Sequence, residues 1–135
     1  MNILIDTNIV LDLLLEREPY VESAITIFDH VEHGTLTGYI AATTITNIFY
    51  ILRKAKGRDV ALASIQRLLI GLQLCAVNRQ TIETALSLGL TDFEDGIQLA
   101  CATLSQLDAV VTRDSQDFSG STLPIYSPTD LLAQL

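Results

Sequence analysis

The sequence predicts an α/β domain in which a mainly parallel sheet carries helices on both faces. Two observations lead there. Short, almost continuous apolar runs alternate with longer segments whose apolar residues recur at helical spacing, the pattern of strands joined by crossover helices. The 135 residues, 49% of them hydrophobic, suit one domain of ordinary size. No Gly/Ser/Pro-rich linker, low-complexity stretch or internal repeat divides them, so residues 1–135 read as a single unit.

Asn2 to Ile5 is an apolar run ending in Asp6, as expected of a buried parallel strand whose C-terminal end delivers a carboxylate. From Thr7 the pattern turns helical, with Ile9, Leu13 and Glu16 at helical spacing, until Glu18-Pro19 breaks it. Val21 to His33 reads as a second helix with Ala24, Ile25, Phe28 and Val31 on one face and Gly34 as its stop. Thr37 to Ala41 follows as a strand. Thr43 or Thr44 then caps a third helix with Ile45, Ile48, Phe49 and Leu52 facing inward, and Gly57 ends it.

Val60 to Ile70 is a further amphipathic helix, Leu74 to Val77 a short strand, and Thr81 to Leu88 a helix stopped by Gly89. Thr91-Asp92-Phe93-Glu94 has the form of a capping box, with Thr91 as N-cap. Phe93, Ile97, Ala100, Cys101 and Leu104 supply the core stripe of the helix it opens. Asp108 to Thr112 is a buried strand that delivers Asp114 just past its end, and Pro124 to Tyr126 is the last strand. Ser127 caps a final helix with Pro128 at its first position.

Composition narrows the function. The net charge of −8 repels a polyanion on average, which argues against simple electrostatic capture of nucleic acid. It leaves room for an enzyme, because carboxylates around a divalent cation invert the local field once the ion is bound. The apolar runs are too short to span a bilayer, and Met1 leads straight into Asn2-Ile3-Leu4-Ile5 without a basic leader, so a cytoplasmic protein without a membrane partner is expected. Cys75 and Cys101, far apart and each in an apolar segment, read as free core thiols.

The chemistry is expected from carboxylates. Ligands of open parallel sheets bind beyond the carboxyl ends of the strands, where Asp6 and Asp114 stand. Asp92 and Asp95, three apart at the start of one helix, share a face. Each has a plain structural alternative: Asp6 as an Asx cap, Asp92 as a first-turn acid, Asp114 and Asp117 as turn residues. Their coincidence at strand and helix ends points to a shared pocket. Such oxygen ligands suit Mg²⁺ or Mn²⁺, which would polarise a phosphate and activate water without any histidine. His30 and His33, with no partner Asp or Ser in view, read as ordinary helix-end residues.

In these residues the chain resembles the PIN domain, the fold of VapC-type toxins from toxin–antitoxin pairs and of related metal-dependent ribonucleases. Leu4-Ile5-Asp6-Thr7-Asn8, Thr91-Asp92-Phe93-Glu94-Asp95 and Val111-Thr112-Arg113-Asp114 with Asp117-Phe118 carry the resemblance, in order and over nearly the whole chain. It implies a three-layer αβα sandwich with a five-stranded, mainly parallel sheet, and cleavage of RNA with one or two Mg²⁺ or Mn²⁺ ions. It also implies frequent homodimers and, for a toxin, an antitoxin partner. Asp6, Asp95 and Asp114 take the metal-ligand and catalytic roles, with Asn8 and Thr112 orienting them from behind.

One departure stands out. PIN domains usually place a glutamate on the third helix, yet no Asp or Glu occurs between His33 and Arg58, and Asn47 occupies that slot. An amide coordinates a cation without bringing charge, so Asp92 or Asp117 is expected to compensate, with the site shifted toward Asp92 and Asp95. The same departure supports a rival reading, a PIN-like module without catalysis that binds nucleic acid or protein. A receiver domain is disfavoured because no Lys follows Lys56, and a haloacid-dehalogenase-like phosphatase because Asn8 stands where the acid should be. Arg53, Lys54, Lys56 and Arg58 have two readings, a solvated helix C-terminus or a guide for RNA. Phe49 and Tyr50 beside Ile51 and Leu52 suggest an apolar helix face wide enough for a partner.

Overall fold

The computed structural model describes residues 1–135. Five strands, β1 (Asn2–Ile5), β2 (Thr37–Ala41), β3 (Gln73–Cys75), β4 (Ala109–Val111) and β5 (Ile125–Tyr126), pair in the order β3-β2-β1-β4-β5. All four pairings are parallel, with Ile3 opposite Gly38 on one side and Ala109 on the other. β1 is therefore the central strand. Its Ile3, Leu4 and Ile5 are wholly buried, as a continuous apolar run on a doubly covered sheet should be.

Because successive strand residues point to opposite faces, Ile3 and Ile5 enter one core and Leu4 the other. The first core packs under α1 (Thr7–Leu14), α2 (Val21–Glu32), α3 (Ala42–Lys56), α4 (Arg58–Gly71) and α7 (Pro128–Ala133). The second lies under α5 (Arg79–Leu88) and α6 (Phe93–Leu104). Three layers result, helices on both sides of the sheet. Gly38 on β2 is required by this packing, since a Cβ there would come within 2.7 Å of a Leu72 methyl and 3.0 Å of Ile5.

Several sequence expectations change in detail. α1 stops at Leu14, well before Glu18-Pro19, and Glu16 adopts φ 52° outside the helix. On α2, Val21, Ala24 and Ile27 are buried while Ile25 is exposed. Ala24, Phe28 and Val31 face the core as expected, so only Ile25 departs from the expected face. α3 begins at Ala42 without a side-chain cap, so Thr43 and Thr44 lie inside its first turn instead of capping it. α5 starts at Arg79, two residues before the expected Thr81, with Asn78 as its cap, and Gly89 ends it at φ 66°, a left-handed position that favours glycine.

The largest change is at α6. Its N-cap is Asp92, whose side chain accepts from the amides of Glu94 and Asp95, so the expected Thr91 cap does not form. Ile97, Ala100 and Cys101 are buried as expected, joined by Leu99, while Phe93 and Leu104 at the two ends of the stripe are exposed. From this helix Glu94 reaches Thr7 and Gln98 reaches Asp6, just beyond β1.

The chain adds β2 and β3 on one side of β1, then crosses to β4 and β5 on the other. That reversal opens a crevice beyond the carboxyl ends of β1 and β4. Asp6 and Asp114 leave those two strands there.

Candidate active site

Asp6 occupies the N-cap position of α1 but makes no capping bond, which removes the Asx-cap alternative. Its side chain turns inward. Gln98 Nε2 donates to Oδ1 at 2.9 Å and the Thr112 hydroxyl to Oδ2 at 2.6 Å, so a carboxylate 6% exposed has both oxygens engaged. Burial raises its pKa, the bonds from Thr112 and Gln98 and the Thr7 amide oppose that rise, and the nearby Asp114 adds to it.

Thr112 serves two groups, for its hydroxyl also accepts from the Asp114 amide at 3.0 Å. Asn8 Nδ2 donates to Asp114 Oδ2 at 3.1 Å. Asp6, Asn8, Thr112 and Asp114, all expected at the site from the sequence, thus form one connected group. Two acceptors in it are left over: Asn8 Oδ1 and Gln98 Oε1 are buried with no hydrogen-bond partner. Buried acceptors of this kind call for a donor such as water.

The other half of the site comes from α6. Asp95 is half-buried, and its pKa is pushed up to about 7 by burial and then by the charges of Asp6, Asp92, Asp117 and Glu94. All four charged neighbours are carboxylates. Asp92, expected as a metal ligand, is exposed and holds the α6 amides with Oδ1 at 2.8 and 3.3 Å, so that oxygen is committed to capping. Asp117 lies on a 3₁₀ turn, Ser115–Phe118, and is exposed. With Asp92 and Asp95 it lines a mostly polar cavity of about 340 Å³.

Asn47 is half-buried on α3. Thr44, one turn earlier on that helix, is the residue that reaches inward: its hydroxyl meets that of Thr7 at 3.1 Å, and the Thr7 hydroxyl donates to Glu94 Oε1 at 3.2 Å. The acid facing α3 is therefore Glu94, which the sequence pattern assigned to a cap. Gln98 was also missed. Its signal was a lone amide in the apolar stretch Gly96 to Ala102, four residues after Glu94 on the same helical face.

Asp12 carried the same signal, one acid within the apolar run Ile9 to Leu15. It is 0% exposed and pairs with Arg113, whose Nε and Nη2 donate to its two oxygens at 2.7 and 3.2 Å. The pair ties α1 to the segment leaving β4. It fixes the backbone immediately before Asp114.

The remaining expected features lie elsewhere. The basic cluster stands at the far end of α3: that helix begins at the crevice, and its rise of about 1.5 Å per residue carries Arg53 to Lys56 roughly 15–20 Å away. Lys56 donates to the carbonyl of Leu14 there, at the C-terminal end of α1. This is the helix-terminus reading, and it moves the cluster away from the carboxylates. His30 and His33 stand at the end of α2, which leads into the first residues of β2, away from the strand ends that carry Asp6 and Asp114. Cys75 and Cys101 are buried and free; burial raises both thiols, Cys101 to about 12, so they stay protonated.

Chemically, three segments of chain supply carboxylate, amide and hydroxyl oxygens, and the one cation beside them, Arg113, is bonded to Asp12. No three of the acids converge closely enough to enclose an ion by themselves. A hard divalent ion does not require that: it keeps several waters and binds through one or two carboxylates and substrate phosphates. Buried, unpartnered Asn8 Oδ1 and Gln98 Oε1 suit the waters of such an ion. The donor set fits a hydrated cation.

A protein-family model described as a PIN domain matches residues 2–116. No curated protein matches the chain. Among solved structures, the fold is similar to VapBC2 from Rickettsia felis bound to a DNA fragment from its promoter, with TM-score 0.74, 13% identity, and coverage of 94% of this chain and 98% of that one. A toxin–antitoxin complex from Klebsiella pneumoniae superposes with TM-score 0.71 at 22% identity, covering 93% and 96%. VapC20 of Mycobacterium tuberculosis, a toxin that cleaves the sarcin-ricin loop, superposes with TM-score 0.66 at 14% identity, covering 80% and 86%.

Proposed function

The chain belongs to the PIN-domain family, and from that premise we propose that it is a divalent-metal-dependent endoribonuclease, the toxin of a toxin–antitoxin pair. The observation that carries this reading is the gathering of Asp6, Glu94, Asp95 and Asp114 beyond β1 and β4, where Arg113, the basic side chain beside Asp114, is bonded to Asp12. Burial first, and then the neighbouring carboxylates, push Asp95 up to a pKa of about 7, and a bound cation would oppose both.

Asp6, Asp95 and Asp114 hold Mg²⁺ or Mn²⁺ in this reading, and Glu94 takes over the part of the acid that Asn47 lacks. Asp92 and Asp117 contribute charge from the rim. The bound ion supplies a polarised phosphate and a nucleophilic water for phosphodiester hydrolysis. Gln98 and Thr112 fix Asp6 so that both its oxygens keep their direction. Asn8 does the same for Asp114 and offers its free carbonyl to an ordered water. Asp12 and Arg113 hold the strand end that carries Asp114.

RNA is the substrate in this reading, and the protein works in the cytoplasm; no helix is long and apolar enough to cross a membrane. A homodimer and an antitoxin are the expected partners. Exposed apolar residues support such contacts: Tyr50 and Ile51 on α3, Leu69 and Ile70 on α4, with Ile70 87% exposed. A groove of about 580 Å³ between α1, α2 and α4, lined by Leu13, Phe28, Leu68 and Ile70, adds a further apolar surface.

The rival reading, a PIN-like binding module without catalysis, rests on Asn47. Cleavage of varied RNAs with Mn²⁺ or Mg²⁺ separates the two. The wild type is expected to cut, and Asp6→Asn and Asp95→Asn each to lose at least about a hundredfold, the usual scale for removing a group that stabilises charge in the transition state. A clean wild-type preparation that cuts nothing would leave the binding module.

A further inference from the structure

On the Asp114 side of the carboxylates lies another cavity, of about 370 Å³, and its lining includes Tyr20, Ser23, Arg113, Asp114 and Thr129. Its size is at the small end of ligand sites, suited to one nucleoside-sized group. One wall is rigid. Arg113 is held in a two-pronged bond to the wholly buried Asp12, and its guanidinium carbon lies 3.9 Å from the centroid of the Tyr20 ring. That cation–π contact holds one face of the ring, while the residue remains 41% exposed.

Charge alone gives an RNA strand little purchase here. The chain carries a net −8, the basic cluster stands at the other end of α3, and Arg113 is already neutralised by Asp12. What this side of the site offers is a fixed aromatic ring beside a carboxylate, with room for one flat group. Base stacking on such rings is the common non-electrostatic handle for single strands. The hydroxyls of Ser23 and Thr129 both donate and accept, so they meet the polar edge of any base.

We propose that Tyr20 is the stacking platform for one unpaired base of a single-stranded RNA, on the nucleotide next to the phosphate that a cation at Asp114 would bind. The assignment rests on the ribonuclease reading above. It makes Tyr20 a substrate-binding residue with no part in the chemical step, and Arg113 the residue that positions its ring. Because the platform is preformed, little ordering is needed when the base arrives.

The test is binding of a labelled single-stranded oligoribonucleotide to the full chain, with Ca²⁺ in place of Mg²⁺ or Mn²⁺. Tyr20→Ala is expected to weaken binding about tenfold and Tyr20→Phe by less than about twofold, because stacking requires the ring and not the hydroxyl. Removing single bases from the RNA in turn should expose one position where the abasic strand binds wild type about as weakly as the intact strand binds Tyr20→Ala. At that position the two losses should not add. The abasic scan on wild type remains informative if Tyr20→Ala folds poorly.

Additive losses, or affinity indifferent to both changes, would overturn the platform and leave the cavity to a polypeptide. If wild type nevertheless cuts RNA with Mn²⁺, the nuclease reading survives that failure. Coupled losses without any cleavage would keep the platform and overturn the nuclease. Wild type that binds no single-stranded RNA at all would overturn both.

Discussion

Asp12 and Asp95 are both carboxylates drawn out of free solvent near the ends of β1 and β4, and they keep opposite company. Asp12 is 0% exposed and has the two-pronged Arg113 bond, with Arg17 at 3.7 Å as a further cation. Asp95 is surrounded by Asp6, Asp92, Asp117 and Glu94. Where charge compensation serves the fold, the chain supplies an arginine within itself. Where it is withheld, the chain leaves an anionic pocket for something brought from outside. Asp12 reads as structure and Asp95 as site, although the sequence shows the same residue type in both.

The contrast breaks most visibly at Asp12. Asp12→Ala strands the Arg113 guanidinium, and removing one partner of a buried pair typically costs roughly 3–5 kcal/mol. A large loss of stability in chemical denaturation is the expected outcome. Asp95→Asn should do the reverse for the ion-free protein and raise its stability, because one member of a repelling group is neutralised. A destabilised Asp95→Asn with an unaffected Asp12→Ala would invert the account.

A smaller effect is expected from pH. Asp95 has an ordinary pKa of 3.8 and a folded-state value of about 7, so between these the folded chain binds more protons than the unfolded one. Stability therefore falls as pH rises through that window, and Asp6, shifted in the same direction, adds to the slope. In the presence of a chelator, Tm should drop by about a few degrees from pH near 5 to pH near 8. Asp95→Asn should flatten that decline. A wild type whose Tm rises over this range would contradict the crowding of acids.

Asp92→Asn sharpens the comparison at the rim. Asn caps a helix about as well as Asp, so α6 should keep its stability while the site loses one exposed charge. Cleavage is expected to fall by only about a fewfold, far less than in Asp95→Asn, since exposed charges interact weakly through water. Loss equal to that of Asp95→Asn would return Asp92 to the ligand set that the sequence suggested.

How far the sequence was readable follows from what each residue's signal depended on. Asp6 and Asp114 were legible because they end apolar runs, and a strand's end is a topological fact. The five strands and the alternation of helices were legible for the same reason. The start of α6 was not. Thr91 and Asp92 are both good caps and the pattern does not choose between them; with Asp92 as cap, Phe93 is exposed and Glu94 accepts from Thr7. Thr43 and Thr44 misled in the same way, as good caps that lie inside a helix. Gln98 and Asp12 were visible as polar residues in apolar stretches, but their partners, Asp6 and Arg113, lie 92 and 101 residues away and only the fold brings them together.

The claim that the acids around Asp95 await a divalent cation is tested most directly by thermal unfolding during titration with Mn²⁺ near neutral pH. An ion that binds only the folded state raises Tm in proportion to its occupancy. Wild type should gain several degrees and saturate, as expected for a stabilisation of about 2–3 kcal/mol at a large excess over Kd. Asp95→Asn should start higher and gain little. A wild-type Tm that does not move with Mn²⁺, or an equal gain in Asp95→Asn, would contradict the account.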